Sequence, residues 1–160
     1  MKRVLSVAIA VLLVLPSLGA AAKPYPHKSA QAQVDIPDDW KVEVTDDPLS
    51  AETKDGNLWV GFNILEAKDL EKAFKELDKE LGKLMKKMTY DKPEDVEVNG
   101  MKGFTCEGKG QVEGNDVDFG TMVLVTPSGK VLLAIGFGAT GKYEQHQPAL
   151  TKIFTSIRTL

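Results

Sequence analysis

Cysteine occurs once in this chain of 160 residues, at Cys106, and histidine twice, at His27 and His146. One cysteine excludes an internal disulfide, so packing alone must hold the fold together. In "KGFTCEG" alternation puts Phe104 and Cys106 on one face and Thr105 and Glu107 on the other. That reads as a small core residue, because no nearby cationic group or helix start would activate the thiol. Two histidines leave little for metal or acid–base chemistry. His27 falls in an aperiodic stretch and is a poor ligand candidate, while His146, between Gln145 and Gln147, reads as a surface position. The motifs G-x-S-x-G, H-E-x-x-H and C-x-x-C are missing. A triad assembled in space leaves no such trace, so a hydrolase remains a third reading. It turns on whether His146 reaches both an acid and a Ser or Thr.

Long apolar runs are also missing, with one exception at the start. "MKR" supplies a positive region, "VLSVAIAVLLVLPSLG" an apolar one with Pro16 near its end, and Ala20 to Ala22 a small-residue cleavage site. The apolar stretch is shorter than the ~20 residues a bilayer span needs. Residues 1–22 therefore read as a signal peptide cut after Ala22, and no following Cys offers a lipid anchor. Losing Lys2 and Arg3 takes the net charge from −3 to −5. A mildly acidic chain has no basic field for nucleic acid or anionic lipid. The expected location is exported, periplasmic or secreted. Residues 23–32, rich in Pro, Ala and Gln, read as a flexible lead-in, and residues 33–160 as a single domain.

Strand signals dominate that domain. Val34 and Ile36 alternate up to Pro37, "DDW" turns the chain, and Lys41 to Val44 alternates again. Asp55-Gly56-Asn57 joins "SAETK" to "LWVGFNIL" as a hairpin. Asn99-Gly100, Gly114-Asn115 and Pro127-Ser128-Gly129 mark further turns, and tight turns force antiparallel neighbours. From Asp69 to Met88 the residues Leu70, Ala73, Phe74, Leu77, Leu81, Leu84, Met85 and Met88 form one helical stripe, with Asp69 at the cap. Leu150, Ile153, Phe154 and Ile157 set a second helix, with Pro148 in its first turn. The fold class is α+β: a twisted antiparallel sheet with helices packed on it.

Three features invite a chemical reading. Gly136, Gly138 and Gly141 spell G-x-G-x-x-G, and Gly136 to Lys142 spells G-x-x-x-x-G-K. A phosphate loop needs a Ser or Thr after its Lys, but Tyr143 follows here. A dinucleotide fold needs an acidic residue about twenty positions on, and none follows Glu144. The glycines read instead as a strand exit and turn, leaving one strand face nearly bare. Acidic pairs occur at Asp38-Asp39, at Asp46-Asp47, and at Asp116 with Asp118, but a calcium loop starting at Asp116 would need Gly and Glu where Thr121 and Pro127 stand. Asp38 and Asp39 are turn formers that remain a candidate cation site. Trp40, Trp59 and Tyr143 are candidate contact residues. Trp59, opposite the Leu58/Val60/Phe62 face, lies either under a second layer or exposed.

The order of these elements resembles the PsbP-like family. "VDIPDDWKVE" opens like its I-P-x-x-W turn at Ile36, Pro37 and Trp40, and "YEQHQPALTKIFTSIR" closes like its Tyr-led helix, from Tyr143 to Ser156, Ile157 and Arg158. The resemblance spans Val34 to Leu160. It implies an α/β/α-like sandwich and a role in binding partners rather than catalysis, with no binding motif carried over. The expected function is an exported, non-enzymatic interaction or accessory module of a bacterial envelope, with protein partners there. The alternative is an exported protein that binds a small ligand or cation. No catalytic residue, metal ligand or cofactor is assigned.

Overall fold

The computed structural model describes residues 21–45 and 47–160. The expected signal peptide, apart from Ala21 and Ala22, lies outside the described residues, as does Asp46. In chain order the elements are β1 (Ala22–His27), a 3-10 turn (Lys28–Ala30), β2 (Ala32–Pro37), β3 (Lys41–Val44), β4 (Leu49–Glu52) and β5 (Leu58–Leu65). Next come α1 (Leu70–Leu84), β6 (Lys86–Tyr90), β7 (Glu94–Val98), β8 (Met101–Val112) and β9 (Asn115–Val125). The chain closes with β10 (Val131–Ala139), α2 (Tyr143–Thr155) and β11 (Arg158–Thr159). Eight strands form one sheet in the order β3-β4-β5-β10-β9-β8-β6, with β7 also on β8, and a small sheet runs β1-β2-β11.

One helix covers each face of the large sheet, so the α+β fold is an α/β/α-like sandwich. On one face Ala73, Leu77 and Leu81 of α1 pack with Phe104, Phe119, Val123 and Ile135. On the other, Leu150, Ile153 and Phe154 of α2 pack with Val60, Phe62, Leu124 and the small sheet's Val34 and Ile36. Alternation sends Leu133 and Ile135 of β10 into the first core and Leu132 and Ala134 into the second. Central strands covered on both faces read as continuous apolar runs, as "VLLAIGFG" does.

Four expectations shift. The first helix ends at Leu84 rather than Met88, because Met85 is already extended and Lys86 to Tyr90 pair with β8. Gly82, weak in a helix, sits in its last turn, and strand pairing overrides the apolar stripe. The turn after β8 falls on Glu113-Gly114, one residue early, and both take positive φ. Pro148 is the sixth residue of α2, beyond the first turn. The segment read as a flexible lead-in, residues 23–32, holds most of β1 and the 3-10 turn that follows it, with β1 paired to β2 from Ala22↔Pro37 to His27↔Ala32. Its prolines, at positions 24 and 26, suit an edge strand.

Candidate functional site

The face beneath α2 is set by cross-strand register. Glu107 of β8 lies opposite Gly120 of β9, which lies opposite Gly136 of β10, which lies opposite Val60 of β5. The two central positions of that row carry no side chain, and α2 descends into the gap. A Cβ added at Gly136 would come within 2.5 Å of Leu150 Cδ1, and one at Gly120 within 2.6 Å of the Tyr143 hydroxyl. The bare side of the last long strand is therefore filled by the final helix. Gly141, at φ 83°, makes the turn into it.

Beside Tyr143 the surface opens into a cleft of about 390 Å³. It lies where β6 ends against β8, at the bond from the Asp91 N–H to the Glu107 carbonyl. Its wall carries the carboxylates of Asp91, Glu107, Asp118 and Glu144 against one ammonium, Lys109. Gln147 Nε2 donates to Glu107 Oε1 at 3.1 Å, tying α2 to β8. One Asp118 oxygen, Oδ1, is buried with no hydrogen bond among the described residues, and Lys109 Nζ stands 3.4 Å from it. Tyr143 is only 5% exposed, and its hydroxyl has no hydrogen-bond partner among the described residues. Burial first, then the charges of Glu107 and Asp118, hold that phenol well above its ordinary pKa, so it stays a neutral donor and acceptor. A narrower groove continues along α2 between Thr105, Met122, Leu150 and Phe154, sharing Glu107, Tyr143 and Gln147 with the cleft.

The five residues singled out from sequence are not brought together. Trp40 packs half-buried against the α2-side core, while Trp59 is half-buried on the α1 side, 5.1 Å from the Phe137 ring. Asp38 and Asp39 sit exposed in their turn, where Asp38 Oδ1 faces Lys23 Nζ at 3.6 Å. Among the described residues, no group of three or more His, Cys, Asp or Glu is placed to hold a metal ion. Only Tyr143 lies in the cleft. Sequence reading did not join its neighbours to it, because Glu107, Lys109 and Asp118 converge through register across two strands. The usable signal was the alternation that put Glu107 opposite Cys106.

Both histidines and the cysteine have defined posts. His27, 4% exposed, donates from Nε2 to the Phe62 carbonyl at 3.1 Å and accepts the Ala30 N–H at Nδ1. It is an internal clamp, not part of a mobile lead-in. His146 Nε2 lies 3.5 Å from Asp55 Oδ2, but the Thr53 hydroxyl donates to Asp55 Oδ1 at 2.7 Å. The order is hydroxyl–acid–imidazole, whereas a nucleophile needs hydroxyl–imidazole–acid. Cys106 is buried, and its thiol is pushed up chiefly by desolvation, which keeps it unreactive. The Tyr90 hydroxyl donates to Asp78 Oδ1 at 2.5 Å, with its pKa raised to about 12 by burial and then that bond.

No protein-family model and no curated protein matches the chain. Solved structures do match it. The cyanobacterial PsbP of Synechocystis is 14% identical with a TM-score of 0.66, over 93% of this chain and 99% of that one. The Ran-binding protein Mog1p of Saccharomyces cerevisiae is 11% identical with a TM-score of 0.58, over 88% and 96%. LpqN, described as involved in cell envelope biogenesis of Mycobacterium tuberculosis, is 14% identical with a TM-score of 0.52, over 88% and 91%. The chain has the PsbP-like fold, and identities this low carry the fold alone.

Proposed function

We propose that this chain is an exported, non-enzymatic interaction module of a bacterial envelope. The observation that carries the reading is the open polar cleft at the start of α2, held on a sandwich with a packed core on each side of the sheet. Protein interfaces carry a polar, solvent-accessible rim, which such a cleft can supply. The His146–Asp55–Thr53 order argues against a hydrolase. No helix among the described residues is long and apolar enough to cross a membrane, which fits a chain released after signal removal. Likeness to a Ran-binding protein and to a protein of envelope biogenesis supports the same reading by fold analogy.

Cell fractionation and photo-crosslinking test this. Full-length tagged protein should be recovered outside the cytoplasm with its N-terminus at Lys23. A photo-reactive residue at Gln147 should give a discrete hetero-adduct that the same probe at Lys79 of α1 does not. Retention of the uncut chain in the cytoplasm, or identical adducts from both positions, overturns the proposal.

A further inference from the structure

We infer that the cleft beside Tyr143 is a recognition site for the cationic nitrogen of a lysine or arginine side chain on a protein partner. This rests on the interaction-module reading and names its chemistry. Four carboxylates surround the cleft, and two further observations point to a place for a cationic donor. Asp118 Oδ1 is a buried anionic oxygen with no hydrogen bond among the described residues and only the ammonium of the exposed Lys109 side chain, at 3.4 Å, as an ion-pair partner. Tyr143, itself 5% exposed, brings to the same cleft a hydroxyl with no hydrogen-bond partner among the described residues. A buried polar group left unsatisfied is expensive, more so when charged. An incoming ammonium or guanidinium would donate to Asp118 Oδ1 and to the Tyr143 oxygen, and the phenol proton would be free to turn toward Glu107.

Lys109 already shows what the oxygen takes. Its Nζ lies 3.4 Å from Asp118 Oδ1 on a side chain that is 74% exposed, an ion pair easily displaced. Lys109 therefore occupies the site as an internal competitor. The narrower groove beyond Tyr143, walled by Met122, Leu150 and Phe154, extends away from the charged end. It gives an apolar neighbour of the basic residue a place to lie, which favours a side chain on a polypeptide over a free amine.

The test is amide-shift titration of isotope-labelled protein with acetyl-Gly-Lys-Leu-Gly-amide, with its Nε-acetylated form, and with cadaverine. The lysine peptide should shift the amides of Gly108, Phe119, Gly120 and Tyr143 at millimolar concentration, and the acetylated peptide should not. Asp118→Asn should weaken binding by about tenfold or more and Tyr143→Phe by about threefold to tenfold. Lys109→Gln should tighten it about twofold to fivefold. The exposed Glu107→Gln provides a variant that does not depend on buried packing, and it should weaken binding as well. Equal binding of the acetylated peptide, no shift with any probe, or unchanged affinity in the Lys109 and Glu107 variants overturns the site. Cadaverine binding at least as tightly as the peptide overturns the assignment to a partner's side chain. A hetero-adduct from Gln147 with no lysine titration would sink this inference alone. Titration with cytoplasmic retention would sink only the envelope reading.

Discussion

Gly136 of β10 stands directly opposite Gly120 of β9, and α2 rests on that pair through Leu150 and Tyr143. Ala at either position would normally help a strand, yet here the new Cβ meets Leu150 Cδ1 at 2.5 Å or the Tyr143 hydroxyl at 2.6 Å. Gly120→Ala and Gly136→Ala should each lower stability by about 1–3 kcal/mol through overpacking. Urea midpoints at unchanged slope measure it. Adding Leu150→Ala to Gly136→Ala should recover part of the second loss, with a coupling of about 1 kcal/mol. A Gly136→Ala midpoint equal to the parent would mean that the helix does not bear on the strand.

His27 joins β1 to β5 through the Phe62 carbonyl and is buried, with Asp47 Oδ1 3.4 Å from the same Nε2. His27→Ala removes the ring and leaves that carbonyl without its donor, so the expected loss is about 2–4 kcal/mol. Deleting residues 23–31 should lower the melting temperature further, because it strips β1 from β2. An undisturbed melting curve after the deletion would restore the lead-in view of this segment.

Asn99 does two jobs at one turn. With φ at 49° it takes the left-handed position of the β7–β8 hairpin, and its Nδ2 donates to the Thr155 carbonyl at 3.1 Å and the Ile157 carbonyl at 2.8 Å. Asn99→Gly keeps the backbone and removes only the cap on α2, so about 1–2 kcal/mol should be lost. Asn99→Ala adds left-handed strain and should cost about 1 kcal/mol more. Equal losses in the two variants would show that backbone strain contributes nothing measurable at this position.

The contrast between Asn99 and His27 shows what could be read in advance. Asn-Gly acts within four residues, so the turn at Asn99 was legible, but its bond to Ile157 spans the fold. The same holds for most of the strands, whose alternation is local, and for the Asp69 cap, whose Oδ1 accepts the Lys72 N–H at 2.8 Å. β1 was missed because two prolines and scattered polar residues hide an edge strand that gains its order from β2. The helix end was missed because Met85 and Met88 continue the apolar spacing while β8 claims the backbone. At the site Tyr143 was visible as an aromatic at a helix start. Glu107 and Asp118 were each noted but not joined to it, because only the pairing of β8 with β9 brings them beside it.

Asp55 gives the stability a specific acid dependence. Its carboxylate accepts the Thr53 hydroxyl at 2.7 Å, the Asn57 N–H at 3.1 Å and Asn57 Nδ2 at 2.6 Å. Those bonds, Thr53 first, hold its folded pKa well below the usual carboxylate range. In the unfolded chain the same group takes up a proton near pH ~3.9. Above that pH both states are ionised and the favourable contribution is fully present. As pH falls toward the folded pKa, the unfolded state binds the extra proton and the contribution is lost. Urea midpoints of the parent should therefore fall between about pH 5 and about pH 3 more steeply than those of Asp55→Asn. Thr53→Val, which removes the largest of the bonds, should flatten the same limb partway while leaving Asp55 in place. Parallel limbs in all three proteins would mean that the hairpin carboxylate titrates alike in the folded and unfolded chains.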